Sequence, residues 1–163
     1  MAERRRKFWG WGYKDERLGD DEERRVLEGW ADRLGVDAEA FERLPVPDAG
    51  DIELGAPRID PPSRVAGICS TDTYDRLLHT YGQSIPDLAR AFMKDFANAP
   101  DYVAHAKTEE DVTAVLDWAT GAGVAVIPFG GGSSATGGVE PAVGGGFNGA
   151  ISLDLGGLDK VLE

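Results

Sequence analysis

Apolar residues recur at helical spacing in four stretches of this chain. Val26, Leu27, Trp30 and Leu34 form the first, with Gly35 placed to stop the helix. Tyr74, Leu77, Leu78 and Tyr81 follow at i, i+3, i+4 and i+7. Ile85, Leu88, Ala89 and Phe92 repeat that spacing, with Phe96 extending the stripe. Gly82 separates these two helices, and Ser84 and Pro86 suit the start of the second. In the fourth stretch Val112, Val115, Leu116 and Ala119 follow Thr108-Glu-Glu-Asp111, a capping box whose hydroxyl and carboxylate satisfy the orphan N–H groups of a first turn. Gly121 and Gly123 end that helix. It is flanked by two predicted strands, residues 101–106 (DYVAHA) and the β-branched run 124–127 (VAVI), which is of the kind buried in a sheet. Strand, capped helix and buried strand in that order predict a βαβ unit. Between the first and second helices lies LPVPDAGDIELGAPRIDPPS, with five prolines from Pro45 to Pro62, an expected surface connector.

Charge divides the chain unevenly. Residues 1–14 carry Arg4, Arg5, Arg6, Lys7 and Lys14 against Glu3, interleaved with Phe8, Trp9, Trp11 and Tyr13. Such a basic aromatic arm can meet an acidic membrane surface, but docking of its tryptophans on a core is the expected role. The 163 residues hold 17 Lys+Arg and 29 Asp+Glu, a net charge of −12, so nucleic acid is not expected as a partner. A single cysteine, Cys69, excludes an internal disulfide and a cysteine-based metal cluster. No apolar run reaches the roughly 18 residues that span a bilayer, and MAERRRKFWGWG lacks the apolar core of a secretion signal, so a cytoplasmic protein is expected.

Nine of the 22 glycines fall between Gly130 and Gly149, directly behind the VAVI run. In PFGGGSSATGGVEP, Pro128 to Pro141, three glycines, two serines, Thr136 and the pair Gly137 and Gly138 leave many backbone N–H groups with little side-chain bulk around them. Such a loop can fold into a concave nest for a phosphate or pyrophosphate. It contains no lysine, which excludes a Walker loop, and Ala135 stands where the dinucleotide fingerprint needs its third glycine. A flexible hinge is the competing reading, disfavoured directly behind a buried strand.

From Pro100 onward, PDYVAHAKTEEDVTAVLDWATGAGVAVIPFGGGSSATGGVEP and then ISLDLGGLDKVLE resemble the opening of the FAD-binding domain of the vanillyl-alcohol oxidase/p-cresol methylhydroxylase (PCMH) superfamily. Within it, WGWGY, TYDRLLHTYGQSIPDLARAF, GGVEP and ISLDL make the chain most similar to the alkylglycerone-phosphate synthase family. The resemblance implies an α+β fold. A helical N-terminal region, 1–99, precedes the first α+β half of a PCMH-type FAD-binding domain, 100–163, incomplete at its C-terminus. Pro128, Phe129, Gly130, Gly131, Gly132, Ser133 and Ser134 would form the pyrophosphate loop, with Gly137 and Gly138 allowing close approach beyond it. Relatives that hold flavin covalently place a His just after these glycines. Ser133 stands there, so the implied FAD is noncovalent.

The family's catalytic Tyr and His and its substrate-phosphate Arg have no counterpart here, so no catalytic residue and no metal ligand is assigned. His79, Glu140, Asp154 and Cys69 are expected to be structural or surface groups. The expectation is the pyrophosphate-binding part of an FAD-dependent, ether-lipid-forming transferase or FAD-linked oxidase, catalytically incomplete alone. Two alternatives stay open: a portion of a 2-hydroxy-acid dehydrogenase, and a noncatalytic half joined by a separately encoded partner.

Overall fold

The computed structural model describes residues 4–41 and 44–161; Glu3 of the basic arm and the last two residues of ISLDLGGLDKVLE lie outside them. The chain divides into two compact units, one of residues 1–7 and 11–46 and the other of residues 8–10 and 47–163. In the smaller unit, Arg6 and Tyr13 form an isolated antiparallel bridge. Arg4 lies over the Tyr13 ring, 4.3 Å from its centroid, and donates to Asp15 and Glu16. Helix α1, Asp20–Leu34, begins with four acidic residues at its positive dipole end and stops at Gly35 in the left-handed region. Ala31 is buried there, but Val26, Trp30 and Leu34 are exposed.

The larger unit is built on a four-stranded sheet with helices on both faces. After α2 (Ser63–Ala66) come β1 (Cys69–Ser70), α3 (Thr73–Leu78), α4 (Ile85–Phe92), β2 (Tyr102–His105), α5 (Glu109–Ala122), β3 (Ala125–Phe129) and β4 (Ala150–Asp154). The capping box of Thr108 with Asp111 starts α5 as the sequence predicts, and a second one, of Ser84 with Asp87, starts α4. Helix α3 ends at Leu78, so Tyr81 sits in the turn beyond it. The strand order is β1-β2-β4-β3. Strands β2 and β3 are joined through α5 as the sequence predicts, but they are not neighbours. Strand β4 lies between them, parallel to both, and β1 pairs antiparallel on the far edge.

Period-two alternation assigns the two faces. Ala104, Ile151 and Leu153 point to a core shared with Val115, Trp118 and Ala119 of α5. Val103, Ser152 and Ile127 lie in one cross-strand row of the opposite face, and His105, Asp154 and Phe129 in the next, at the carboxyl end. A second core gathers Phe8, Trp9, Tyr74, Leu77, Tyr81, Ala91 and Phe96. The arm's expected docking on a core therefore holds for Phe8 and Trp9, whose rings meet edge to face at 4.8 Å, whereas Trp11 is 63% exposed.

Asp101 ties the connector to the start of β4. Only 2% exposed, its carboxylate accepts from Arg58 N (2.8 Å), Nε (3.0 Å) and Nη2 (2.8 Å) and from Ala150 N (2.7 Å). Burial alone would raise this carboxyl; the four donors outweigh it and hold the group below the usual carboxylate range. Asp101→Ala leaves the Ala150 N–H buried without an acceptor. It should cost about 2–3 kcal/mol by denaturant unfolding, whereas Arg58→Ala should cost less because Asp101 keeps its backbone donors.

The α3–α4 turn meets the glycine loop backbone to backbone. Gln83 N donates to Ser134 O at 2.7 Å. A methyl group on Gly82 would collide with that same carbonyl and stand 3.3 Å from Asp87 Oδ2, whereas one on Gly130 would meet nothing within 4 Å. Gly82→Ala should therefore destabilise the larger unit by about 2 kcal/mol or more and raise hydrogen exchange at Ser134–Gly138. Gly130→Ala should leave both unchanged.

Candidate functional site

The loop leaves the carboxyl end of β3, where Pro128 is exposed and Phe129 is buried as the strand's last residue. Gly130, Gly131 and Ser133 are exposed, and Gly132 is buried with φ +65°, a left-handed conformation that glycine adopts without penalty. Among the described residues nothing accepts the N–H of Gly130, Gly132 or Ser133. Unpaired N–H groups in a segment without side-chain bulk are the donor set an anion requires. Pro128 through Ser134 form one segment at the strand end, and the unpaired donors of Gly130, Gly132 and Ser133 fit a pyrophosphate in their chemistry. Ser134 has a different task from that of Ser133. Its Oγ accepts from Gly138 N at 3.0 Å and Thr136 N at 3.4 Å, folding the second half of the loop back on itself. Gly137 and Gly138 are exposed in that turn.

The loop's far end is fixed by charge. The Glu140 carboxylate accepts from Arg90 Nη1 (2.7 Å) and Nη2 (3.2 Å) and from Asn98 Nδ2 (3.0 Å). Arg90 also reaches Asp87 Oδ1 at 3.1 Å and lies 4.6 Å over the Tyr81 ring. Glu140 is thereby a structural group, as its lack of a chemical partner in the sequence predicts.

Beneath the strand ends, four titratable side chains close a ring. His105 Nε2 is 2.7 Å from Asp75 Oδ2, and its Nδ1 is 3.1 Å from Asp154 Oδ2. His79, 2% exposed, donates from Nδ1 to the Asp75 carbonyl at 2.8 Å. Its Nδ1 lies 3.4 Å from Asp75 Oδ1 and its Nε2 3.4 Å from Asp154 Oδ2, the latter an ion-pair contact without hydrogen-bond geometry. The two carboxylates, on Asp154 and Asp75, push His105 up to about 10. Burial would lower His79, but Asp154 and Asp75 outweigh it and raise it. Burial would raise both carboxyls; His105 and His79 outweigh it and hold Asp75 and Asp154 far below the usual range.

Two members of this ring, Asp75 and His105, escape a sequence reading that treats His79 and Asp154 as isolated. The i, i+4 spacing of Asp75 and His79 is the signal that could have found one side of it. Cys69, at the sheet edge, is pushed up to about 11 by burial, so its thiol stays protonated near neutrality. Among the described residues no group of His, Cys, Asp and Glu is arranged to hold a metal ion, and no helix is long and apolar enough to cross a membrane.

Residues 100–163 match the family model of the FAD binding domain. The alkyldihydroxyacetonephosphate synthase of Dictyostelium discoideum is 35% identical over 91 residues, which are 56% of this chain and 15% of that protein. The enzyme of the same name from Trypanosoma brucei brucei is 34% identical over 92 residues, again 56% and 15%. Two solved structures of alkyldihydroxyacetonephosphate synthase, in space groups P1 and P212121, superpose on 97% of this chain and 34% of theirs. Their TM-scores are 0.76 and 0.72, at 25% and 24% identity. The chain therefore spans 15% of the curated relatives and about a third of the solved chains it matches. The strand, capped helix and glycine loop of residues 100–163 thus match the FAD binding domain model, in a chain similar over part of its length to alkyldihydroxyacetonephosphate synthase.

Proposed function

We propose that Pro128–Ser134, with Gly137 and Gly138, hold the pyrophosphate of a noncovalently bound FAD, and that the chain supplies this part of the flavin site in an alkylglycerone-phosphate synthase-like enzyme. The observation that carries the reading is the set of unpaired N–H groups at Gly130, Gly132 and Ser133, directly behind a buried parallel strand. Open α/β sheets bind ligands at the carboxyl ends of their strands. The bound flavin would supply the redox and electrophilic chemistry. This chain's residues bind and orient: the N–H groups face the phosphates, and the Ser133 hydroxyl adds a donor.

Noncovalent attachment is supported by the nucleophiles at hand. Residues 128–138 contain no His, Cys or Tyr, His79 and His105 are engaged with carboxylates, and the Cys69 thiol is held protonated by burial. Catalysis by this chain alone is not part of the proposal, because the titratable groups nearest the loop are already paired: Glu140 with Arg90, Asp154 with His105. A second α+β half, in one polypeptide or as a separately encoded partner, would complete the clamp on the flavin. Contact with an anionic membrane would rest on the exposed Trp11, since Phe8 and Trp9 are packed inside and Arg4 is bound to Asp15 and Glu16.

The test is a ligand series. The chain purified alone should carry less than stoichiometric flavin yet respond to added FAD and to ADP, which share the pyrophosphate, and not to riboflavin, which lacks it. Gly132→Val, which forces a β-branched residue to positive φ, should weaken FAD binding about tenfold or more. A response to inorganic phosphate with none to FAD or ADP would reduce the loop to a generic anion nest. Yellow colour retained on the denatured polypeptide would overturn the noncovalent assignment.

A further inference from the structure

The four-membered ring stands directly under the loop. Phe129, the residue before Gly130, has its buried ring on His79, with centroids 4.1 Å apart. Four residues after His79, Gln83 N holds the carbonyl of Ser134 at the other end of the tight turn. Residues 79–83 therefore support both ends of the segment Gly130–Ser134. Tyr81 packs this segment into the second core, and the ring ties its first residue, His79, to the strand ends. Asp75 and His79 come from α3 and its C-terminal cap, His105 from the end of β2 and Asp154 from the end of β4.

His105 presents each ring nitrogen to a different carboxylate, at 2.7 and 3.1 Å. Neutral imidazole has one N–H and can donate to only one of them; the imidazolium can donate to both. Without its second proton the ring opens at one carboxylate, and α3 loses a tie to β2 or β4. We propose that His105 is a positioning residue for the glycine loop: as a doubly protonated cross-link between Asp75 and Asp154 it fixes residues 79–83, and through Phe129 and Ser134 the spacing of the loop's N–H groups. That the loop's ligand is FAD rests on the function proposed above; the coupling of His105 to the loop does not.

The groups facing His105 are Asp75 and His79 from α3 and Asp154 from β4. Ser70 of β1 and the Gly156 N–H bind the two carboxylates. No Lys or Arg faces it among these, and the two carboxylates retain its proton well above neutrality, to about 10. Because the folded-state value is raised, the stability His105 contributes is complete below its ordinary value of about 6.5 and is lost as pH rises through the folded one.

A merely structural cross-link would show only that loss of stability, so the test reads the loop. Carbon-detected NMR of the full chain, which avoids fast amide exchange in base, would follow the His105 ring, the Phe129 ring and the carbonyl carbons of Gly130–Ser134 from pH 6 upward. The expected result is one shared alkaline midpoint for all three, below the unfolding transition. In His105→Gln, folded by circular dichroism, the alkaline step should vanish, with the loop carbons at neutral pH already at the wild-type high-pH positions. Asp75→Asn, which removes one carboxylate, should lower the shared midpoint; it gives an independent reading where His105→Gln does not fold. Loop carbons that stay still while His105 titrates, or variants that lower Tm and leave the loop spectrum unchanged, would overturn the proposal. FAD affinity forms a separate arm. It should fall about tenfold across the same step, as expected when one charge-assisted hydrogen bond is broken. A chain that binds no FAD but shows the shared midpoint would sink the flavin assignment and leave the coupling intact.

Discussion

A loop made of glycine and serine has almost no side chains with which to hold its own shape. Its geometry must be imposed at its ends, and here both ends rest on one short turn, residues 79–83. At one end the His79 ring lies against Phe129; at the other, the missing side chain of Gly82 lets the Gln83 N–H reach the Ser134 carbonyl. The helical region ahead of the sheet thus supports the spacing of the loop amides, beyond its contribution to the core.

Electrostatics completes that support with little net charge. In the ring under the strands two imidazoles face two carboxylates, and at the loop's far side Glu140 is matched by Arg90. A buried ion pair contributes mainly by leaving no charge unpaired, since desolvation offsets most of the attraction. The N–H groups of Gly130, Gly132 and Ser133 are left without an acceptor among the described residues, which is the condition under which an anion gains most by arriving.

Local order along the chain was the legible part. Thr108 with Asp111 declares a helix start through hydrogen bonds between residues three apart, a spacing a sequence shows directly, and Ser84 with Pro86 marks another. The glycine run behind VAVI likewise announces exposed backbone. What a single sequence hides is which strand lies beside which. Nothing in DYVAHA or VAVI says that β4, some twenty residues beyond β3, will enter between them. For that reason nothing links His105 and Asp154, 49 positions apart, until the register β2-β4-β3 aligns them with Phe129 in one row. The two-residue β1 carries too few positions to show any period.

The same strand order has a bearing on how the chain acquires its shape. Strands β2 and β3 have no bond to each other: before β4 arrives β2 has only the two-residue β1 beside it, and β3 has no partner until β4 reaches it. During synthesis α5 and the glycine loop therefore leave the ribosome before the sheet that anchors them exists. Long-range pairing of this kind is slow and leaves open strand edges for its duration. The run of small residues from Pro128 to Gly149 keeps bulky apolar side chains few over the stretch that must wait longest, so the sequence that suits a phosphate also limits sticking in the unpaired intermediate.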